Sequence, residues 1–185
     1  QLSLAGSGIG TFSDRARDAA RGGSPGDSGR ALVARQGWLS GLHYLPNAES
    51  GPSSRAELLA AADLVRVGLA GTLRDYRMLA ADGQTRRLEE LRYGNSPAGY
   101  VHAPGEVVNY VENHDNQTLY DGLVMKLPRA TPMAERVRIQ ALGNAIVAFS
   151  QGIAYLHAGQ EILRSKSLDR NSYNSGDHFN PLDLS

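Results

Sequence analysis

A short apolar segment that runs straight into a cluster of polar side chains constrains the fold of this chain more than any other feature. Residues Val107 to Val111 predict a buried strand, and Asn113-His114-Asp115-Asn116 follows it. Buried parallel strands deliver side chains to a site at their carboxyl ends. An imidazole, a carboxylate and amides suit a hydroxyl-rich ligand and the stabilisation of positive charge. The segment therefore predicts a parallel sheet with a polar site at its edge.

Two helices are predicted in the first half of the chain. Ser13 is placed to cap a short helix through Ala20, which Gly22-Gly23 would end. Ser54-Arg55-Ala56-Glu57 has the pattern of a capping box. The helix after it carries one apolar stripe at helical spacing, made of Leu58, Ala62, Val65 and Leu69.

A third helix and a further strand are predicted in the second half. Thr131 is placed as the N-cap, with Pro132 at the first helical position. The apolar face of this helix is predicted to be Val137, Ala141, Leu142, Ala145 and Phe149. Gly152 would break the helix, and Ile153 to Leu156 predicts another short buried strand.

The remaining segments are predicted to be connections. Residues 22–54 are rich in Gly, Ser and Pro and predict a long loop, residues 82–105 a polar connection, and residues 157–185 mostly loop. The order of elements is then strand–helix, strand–helix, strand–loop. This order is typical of α/β construction, with polar clusters after the strands.

Composition excludes several classes of protein. The 185 residues carry a formal net charge of zero and no cysteine. Charge therefore gives no reason to expect nucleic acid or membrane binding, and disulfides and thiolate metal sites are excluded. No apolar run is long enough to span a bilayer. The first residue is Gln1 rather than Met, which favours a processed protein or a piece of a longer one.

Several sequence words resemble one known family and occur in its order. They are residues 7–15, 63–71, 96–100, 113–119, 157–167 and 169–177. Together they resemble the pullulanase and limit-dextrinase branch of the α-amylase superfamily, glycoside hydrolase family 13. Two departures stand out: Asn174 occupies a position where Asp is common, and His178 one where Trp is common.

This resemblance implies a partial (β/α)8 TIM barrel. Residues 1–185 would form the C-terminal portion of the catalytic barrel, roughly its last three β/α units with long loops. The first five units would lie upstream. The expected partners are an α-glucan polysaccharide or oligosaccharide and the missing N-terminal part of the barrel, with no nucleic acid and no membrane.

The resemblance also implies the chemistry. Retaining glycosidases use a carboxylate nucleophile and a carboxylic acid that protonates the leaving oxygen. The superfamily adds a third carboxylate that stabilises the transition state, and Asp115 matches it. The nucleophile and the acid would lie on upstream strands. The whole enzyme is expected to cleave α-1,6-glucosidic branch linkages in pullulan, limit dextrins or related α-glucans, and this chain alone is expected to be inactive.

Five further residues are assigned to substrate binding by the same resemblance: His114, Asn116, Arg170, Asn171 and Tyr173. For the last three, the alternative is a structural loop held by salt bridges of Asp169, Arg170 and Asp177. For His114 and Asp115, the alternative is an ordinary surface pair or turn.

No cofactor and no metal ligand is identified, and Ca²⁺ is expected only as an ion that some full-length relatives hold. Two other functions stay open. One is a carbohydrate-binding remnant without activity. The other is a metal-dependent hydrolase that uses His114 and Asp115, which would require further histidines on helices.

Overall fold

A computed structural model describes residues 1–184 of the chain. Its α-helices are α1 (Asp14–Arg21), α2 (Arg30–Ala34), α3 (Arg55–Leu69), α4 (Leu119–Lys126) and α5 (Met133–Phe149). Its strands are β1 (Thr11–Phe12), β2 (Arg77–Leu79), β3 (Thr85–Arg87), β4 (Arg92–Tyr93), β5 (Ser96–Pro97), β6 (Val107–Asn109) and β7 (Ile153–Ala154). Short 3-10 turns occupy residues 2–4, 88–90, 104–106, 160–162, 172–174 and 177–179.

A parallel sheet of three strands, in the order β1-β6-β7, organises the fold. Thr11 pairs with Val107, and Val108 pairs with both Phe12 and Ile153. The carboxyl ends of the three strands therefore meet at one edge. This confirms the prediction of an α/β chain with a parallel sheet.

Helix α3 packs against α1 at a point of close approach. A Cβ added at Gly68 would lie 2.4 Å from the Cβ of Ala16, so only glycine fits there. The predicted capping box is present: the Ser54 amide donates to Glu57 over 2.6 Å, and the Glu57 amide donates to the Ser54 hydroxyl over 3.2 Å. This box ties down the start of α3 after the long connection.

The main core lies between the end of β6 and helices α1, α3, α4 and α5. It contains Ala19, Ala20, Leu39, Val65, Val111, Leu119, Leu123, Leu127, Ile146 and Val147, all buried. Burial of this apolar area supplies the main driving force for docking the helices on the sheet.

Two segments predicted to be connections contain helices or strands. Residues 22–54 include the short helix α2, and residues 82–105 include β3 and the ribbon β4-β5. Helix α4, which is not predicted from the sequence, follows β6, and its N-cap hydroxyl, that of Thr118, accepts the Asp121 amide over 3.1 Å. Elements of two or three residues carry too little periodicity to be read from sequence.

The prediction for α5 was wrong in its N-cap and in its buried face. Pro132 is the N-cap, with no side-chain hydrogen bond. Val137, Leu142 and Phe149 are exposed, Phe149 by 77%. The buried residues of the helix are instead Arg136, Gln140, Gly143, Ile146 and Val147. This helix has apolar side chains on more than one face, and α4 packs on the Gly143 side, where an added Cβ would lie 2.5 Å from Leu119.

Strand β7 also differs from its prediction. It was expected to be buried, yet Ile153 is 46% and Leu156 is 57% exposed. The reason is its position at the edge of the sheet, where it is paired with β6 on one side only.

None of the helices in residues 1–184 combines the length and the apolar character needed to cross a membrane.

Glu106 fastens the N-terminal segment to the start of β6. Its carboxylate accepts the backbone amides of Gly6, Gly8 and His102 at 3.1, 2.8 and 2.9 Å. These bonds to Gly8, His102 and Gly6 lower the pKa of Glu106 to about 2, because they stabilise its charged form.

We expect Glu106→Gln to destabilise the fold in a pH-dependent way. The pKa of Glu106 in the folded state is lower than in the unfolded chain, so its stabilising contribution is complete above the unfolded pKa. The contribution is lost as the pH falls from about 4.5 towards about 2. Urea unfolding of the wild type and the variant, each with this chain inside its longer parent protein, should show a clear gap in free energy of unfolding at pH 7 that narrows near pH 3. An equal gap at both pH values would contradict this account.

Candidate active site

The polar cluster predicted to form a site lies on the loop between β6 and α4. The side chains of His114 and Asp115 are 74% and 66% exposed, and their Nε2 and Oδ1 atoms are 3.6 Å apart. The loop is shaped locally: Asn113 Oδ1 accepts the Asp115 amide over 2.9 Å, and Asn116 has a left-handed backbone with φ of 60°. An imidazole and a carboxylate are thereby presented side by side to solvent.

Four of the six predicted site residues line one open cleft of about 450 Å³: Asp115, Asn116, Arg170 and Asn171. The first pair comes from the loop after β6, and the second from the loop that leads to the 3-10 turn at residues 172–174. His114 and Tyr173 are outside this lining, and Tyr173 is 78% exposed. The cleft thus joins carboxylate, amide and guanidinium groups, which suits a ligand rich in hydroxyl groups.

Arg170 also connects the cleft to a distant loop. Its guanidinium donates to the carbonyls of Pro25 and Asp27, the latter over 2.9 Å. Asp169 accepts the Asn171 amide at 2.6 Å and the Ser175 hydroxyl at 2.7 Å. The salt-bridge alternative named the wrong bonds, since within residues 1–184 no ion pair joins Arg170 to Asp169 or Asp177. Arg170 keeps further N–H groups that a ligand can use.

Buried groups that the sequence did not reveal hold the site loop in place. Glu112 accepts the Leu119 amide at 2.6 Å and contacts Nδ1 of His157 at 2.8 Å. Lys166 donates to the His114 carbonyl over 2.9 Å, and burial lowers the pKa of its ammonium group. The available signal was a charged residue, Glu112, directly after the apolar run of residues 107–111, but this signal does not identify its hydrogen-bond partners.

A second pair of contacts anchors the segment that carries Lys166. Asp121 of α4 accepts the Ser165 hydroxyl at 2.6 Å and the Lys166 amide at 2.7 Å. Because α4 begins directly after the site loop, this carboxylate ties the C-terminal segment to the same part of the fold.

An aromatic group lies at the same carboxyl edge of the sheet. Phe12 ends β1, and Tyr110 and Tyr155 come directly after β6 and β7. The ring centroid of Phe12 is 4.9 Å from that of Tyr110 and 5.3 Å from that of Tyr155. The Tyr110 hydroxyl donates to Asp14 over 2.5 Å. Burial and this hydrogen bond raise the pKa of Tyr110, so the phenol stays protonated.

Comparison with known proteins identifies relatives of the whole chain. It is 50% identical over 185 residues to a pullulanase of Klebsiella pneumoniae, and this alignment covers 100% of this chain and 17% of that protein. It is 46% identical over 189 residues to pullulanase 1, chloroplastic, of Arabidopsis thaliana, and this alignment covers 100% of this chain and 19% of that protein. None of the profiles that define protein families matches the chain.

Both of these pullulanases align with this chain over its whole length. The structural comparison agrees. A maltotriose complex of PulA from Klebsiella pneumoniae superposes with a TM-score of 0.95 and 49% identity, over 98% of this chain and 20% of that one. The chain therefore spans about a fifth or less of the pullulanases it matches, and its three-stranded sheet and site loop belong to the shared part.

The structure offers no ready-made metal site in the described part of the chain. Within residues 1–184, no group of three or more His, Cys, Asp or Glu side chains could hold a metal ion.

Arg170→Lys should loosen both loops that the guanidinium joins. A lysine has all its N–H donors on one nitrogen, so it cannot reproduce the two separate nitrogens from which Arg170 reaches the two carbonyls. When this chain is part of its longer parent protein, hydrogen exchange should become faster in residues 24–27 and 166–174. Arg35→Lys is the matched control, since Arg35 contacts Asp27 from the exposed side through a simple ion pair of 2.6 Å that lysine can keep. Equal exchange in both variants would show that Arg170 does not hold the loops together.

Proposed function

We propose that this chain is the C-terminal portion of the catalytic (β/α)8 barrel of a pullulanase-type enzyme. The complete enzyme hydrolyses α-1,6-glucosidic branch linkages in pullulan, limit dextrins or related α-glucans. The observation that carries the proposal is the identity of 50% to a pullulanase along all 185 residues. The exposed carboxylate of Asp115 at the carboxyl edge of a parallel sheet supports it, because barrel enzymes place their catalytic groups there.

The exposed apolar groups support the barrel part of the proposal. Strands β1 and β7 are the two edges of the sheet, and a closed barrel would pair both. Val137, Leu142 and Phe149 of α5 would lie against neighbouring units. In this arrangement the three strands are roughly the sixth, seventh and eighth of the barrel, and the N-terminal part of the barrel is the chain's main partner.

The mechanism assigned to the complete enzyme is hydrolysis with retention. The nucleophile and the general acid would come from the part of the barrel outside residues 1–185. Asp115 would stabilise the oxocarbenium-like transition state through its negative charge and its hydrogen bonds. Its exposure in the cleft leaves the carboxylate free to meet a sugar ring.

The other groups would bind the glucan. His114 would hydrogen-bond the sugar beside the scissile bond, and Asn116 and Asn171 would meet hydroxyl groups from opposite sides of the cleft. Arg170 would combine its structural contacts with a sugar contact. The exposed ring of Tyr173 offers a flat surface on which a pyranose can stack.

In the complete enzyme, Asp115→Asn should lower kcat by about 10²–10³-fold with a much smaller change in KM. Asn keeps the shape and most of the hydrogen bonds but removes the charge, which acts mainly on the transition state. The assay is release of reducing ends from pullulan, with the melting temperature measured alongside. Because Asp115 is largely exposed, the melting temperature should hardly move.

His114→Ala is the comparison variant. The imidazole would contact ground state and transition state alike, so both kcat and KM should change. A value of kcat for Asp115→Asn within about threefold of the wild type would show that Asp115 is not a catalytic residue. Such a ratio corresponds to a change in the activation free energy of less than about 0.7 kcal/mol.

The 185-residue chain on its own should show neither pullulan hydrolysis nor a stable fold. It would lack two of three catalytic carboxylates, and its open strand edges favour association. Reducing-end assays and thermal unfolding of the purified chain test both points. Turnover at an enzymatic rate would overturn the assignment of the missing groups, and a sharp cooperative melt of a monomer would overturn the dependence on a partner.

A further inference from the structure

Glu112 is a buried carboxylate that the proposed chemistry does not use. Its side chain is 0% exposed, and it lies directly after the apolar run of β6, two residues before His114. Burying a carboxylate costs several kcal/mol, on the order of the whole stability of a domain, unless the charge is paired and hydrogen-bonded. Its contacts show what it holds.

One oxygen of Glu112 closes the site loop. Oε2 accepts the amide of Leu119 at 2.6 Å, and Leu119 is the first residue of α4. The amides of a first helical turn have no partner within the helix, so this bond satisfies a donor that would otherwise be orphaned. Residues 113–118 are thereby closed between a residue just before them and a residue just after them.

The other oxygen of Glu112 binds the segment after β7. Oε1 is 2.8 Å from Nδ1 of His157, and Nε2 of the same ring is 3.2 Å from Nη1 of Arg164. A guanidinium can only donate, so Nε2 accepts and the ring carries its proton on Nδ1. His157 therefore donates to Glu112, and the site loop is held in a set orientation to the neighbouring strand.

Lys166 holds the same loop from another side. Its Nζ donates to the carbonyl of His114, and its backbone amide donates to Asp121. Lys166 is 1% exposed. His114 and Asp115, the two exposed side chains of this loop, are therefore carried by a backbone that Glu112 closes at its two ends and that Lys166 bonds at His114.

We propose that Glu112 is a positioning residue that holds the loop carrying His114 and Asp115 and so aims Asp115 into the cleft, acting through the Leu119 amide and the His157 ring. This inference rests on the proposed glycosidase function. Catalytic groups displaced by about 1 Å can lose on the order of 10² in rate, so the rigidity of this loop bears directly on the rate.

Glu112→Gln should break this arrangement without changing its volume. An amide has one oxygen, which can serve Leu119 or His157 but not both. If its nitrogen faces His157, the ring must move its proton to Nε2, where it meets the donor of Arg164. Each arrangement leaves two donors facing one another, and the loop relaxes.

The experiment uses the complete enzyme and compares Glu112→Gln with Glu106→Gln. Glu106 is the matched control, because it is also a buried carboxylate that accepts backbone amides, but its bonds go to the N-terminal segment and to His102. With pullulan, Glu112→Gln should lower kcat by about 10- to 100-fold and change KM by less than about threefold. The control should lower the melting temperature and leave kcat within about twofold.

Hydrogen exchange supplies a readout that does not depend on activity. In Glu112→Gln, amides in residues 113–119 should exchange faster, and in the control they should not. If the wild type fails to hydrolyse pullulan, the proposed function fails, and the exchange result still decides the positioning role. A lower melting temperature with unchanged kcat and unchanged exchange at residues 113–119 would make Glu112 a purely structural residue.

His157→Gln replaces Glu112→Gln if that variant does not fold. It leaves the bond between Glu112 and Leu119 in place and removes the imidazole that orients the carboxylate. We expect a smaller loss, about 3- to 10-fold in kcat, with faster exchange at residues 113–119. Unchanged kcat together with unchanged exchange would overturn the proposal.

Discussion

The arrangement of this site depends on the hydrogen bonds of one buried carboxylate, that of Glu112. It joins three elements at one point: the end of β6, the first turn of α4 and the segment after β7. A charge enclosed in protein is stable only when its hydrogen bonds are complete, so each of the three elements is held in one relative position. The exposed side chains of the loop are therefore held in position by Glu112, a residue that is itself buried.

The C-terminal segment is fixed by similar contacts rather than by regular structure. Residues 157–184 contain short 3-10 turns, yet Lys166, Asp121 and Arg170 connect them to the site loop, to α4 and to the loop at residues 24–27. Long loops of this kind are uncommon in compact domains unless they serve a site. Here they bring Arg170 and Asn171 to the cleft that Asp115 lines.

The apolar surface of the chain falls into two classes. One class forms the core around Leu119, Leu123 and Ile146. The other, which includes Phe12, Ile153 and Phe149, is exposed at the sheet edges and on the outer side of α5. Exposed apolar groups at open strand edges favour association with other polypeptide segments. This agrees with the comparison, in which the chain spans less than a fifth of the length of these pullulanases.

The sequence by itself determined the features that depend on neighbouring residues. The strand before His114 and Asp115, the helix after Ser13 and the capping box at Ser54 could all be predicted, because a period, a cap or a turn is encoded within a few positions. The Ser13 side chain itself makes no capping hydrogen bond, contrary to the prediction. Only the tertiary structure decided which face of α5 is buried and which partners Glu112 and Arg170 take. Glu112 meets a residue 45 positions away, and Arg170 meets one 143 positions away. Such pairings depend on how strands and helices pack in space, and packing is a property of the whole chain rather than of any local pattern.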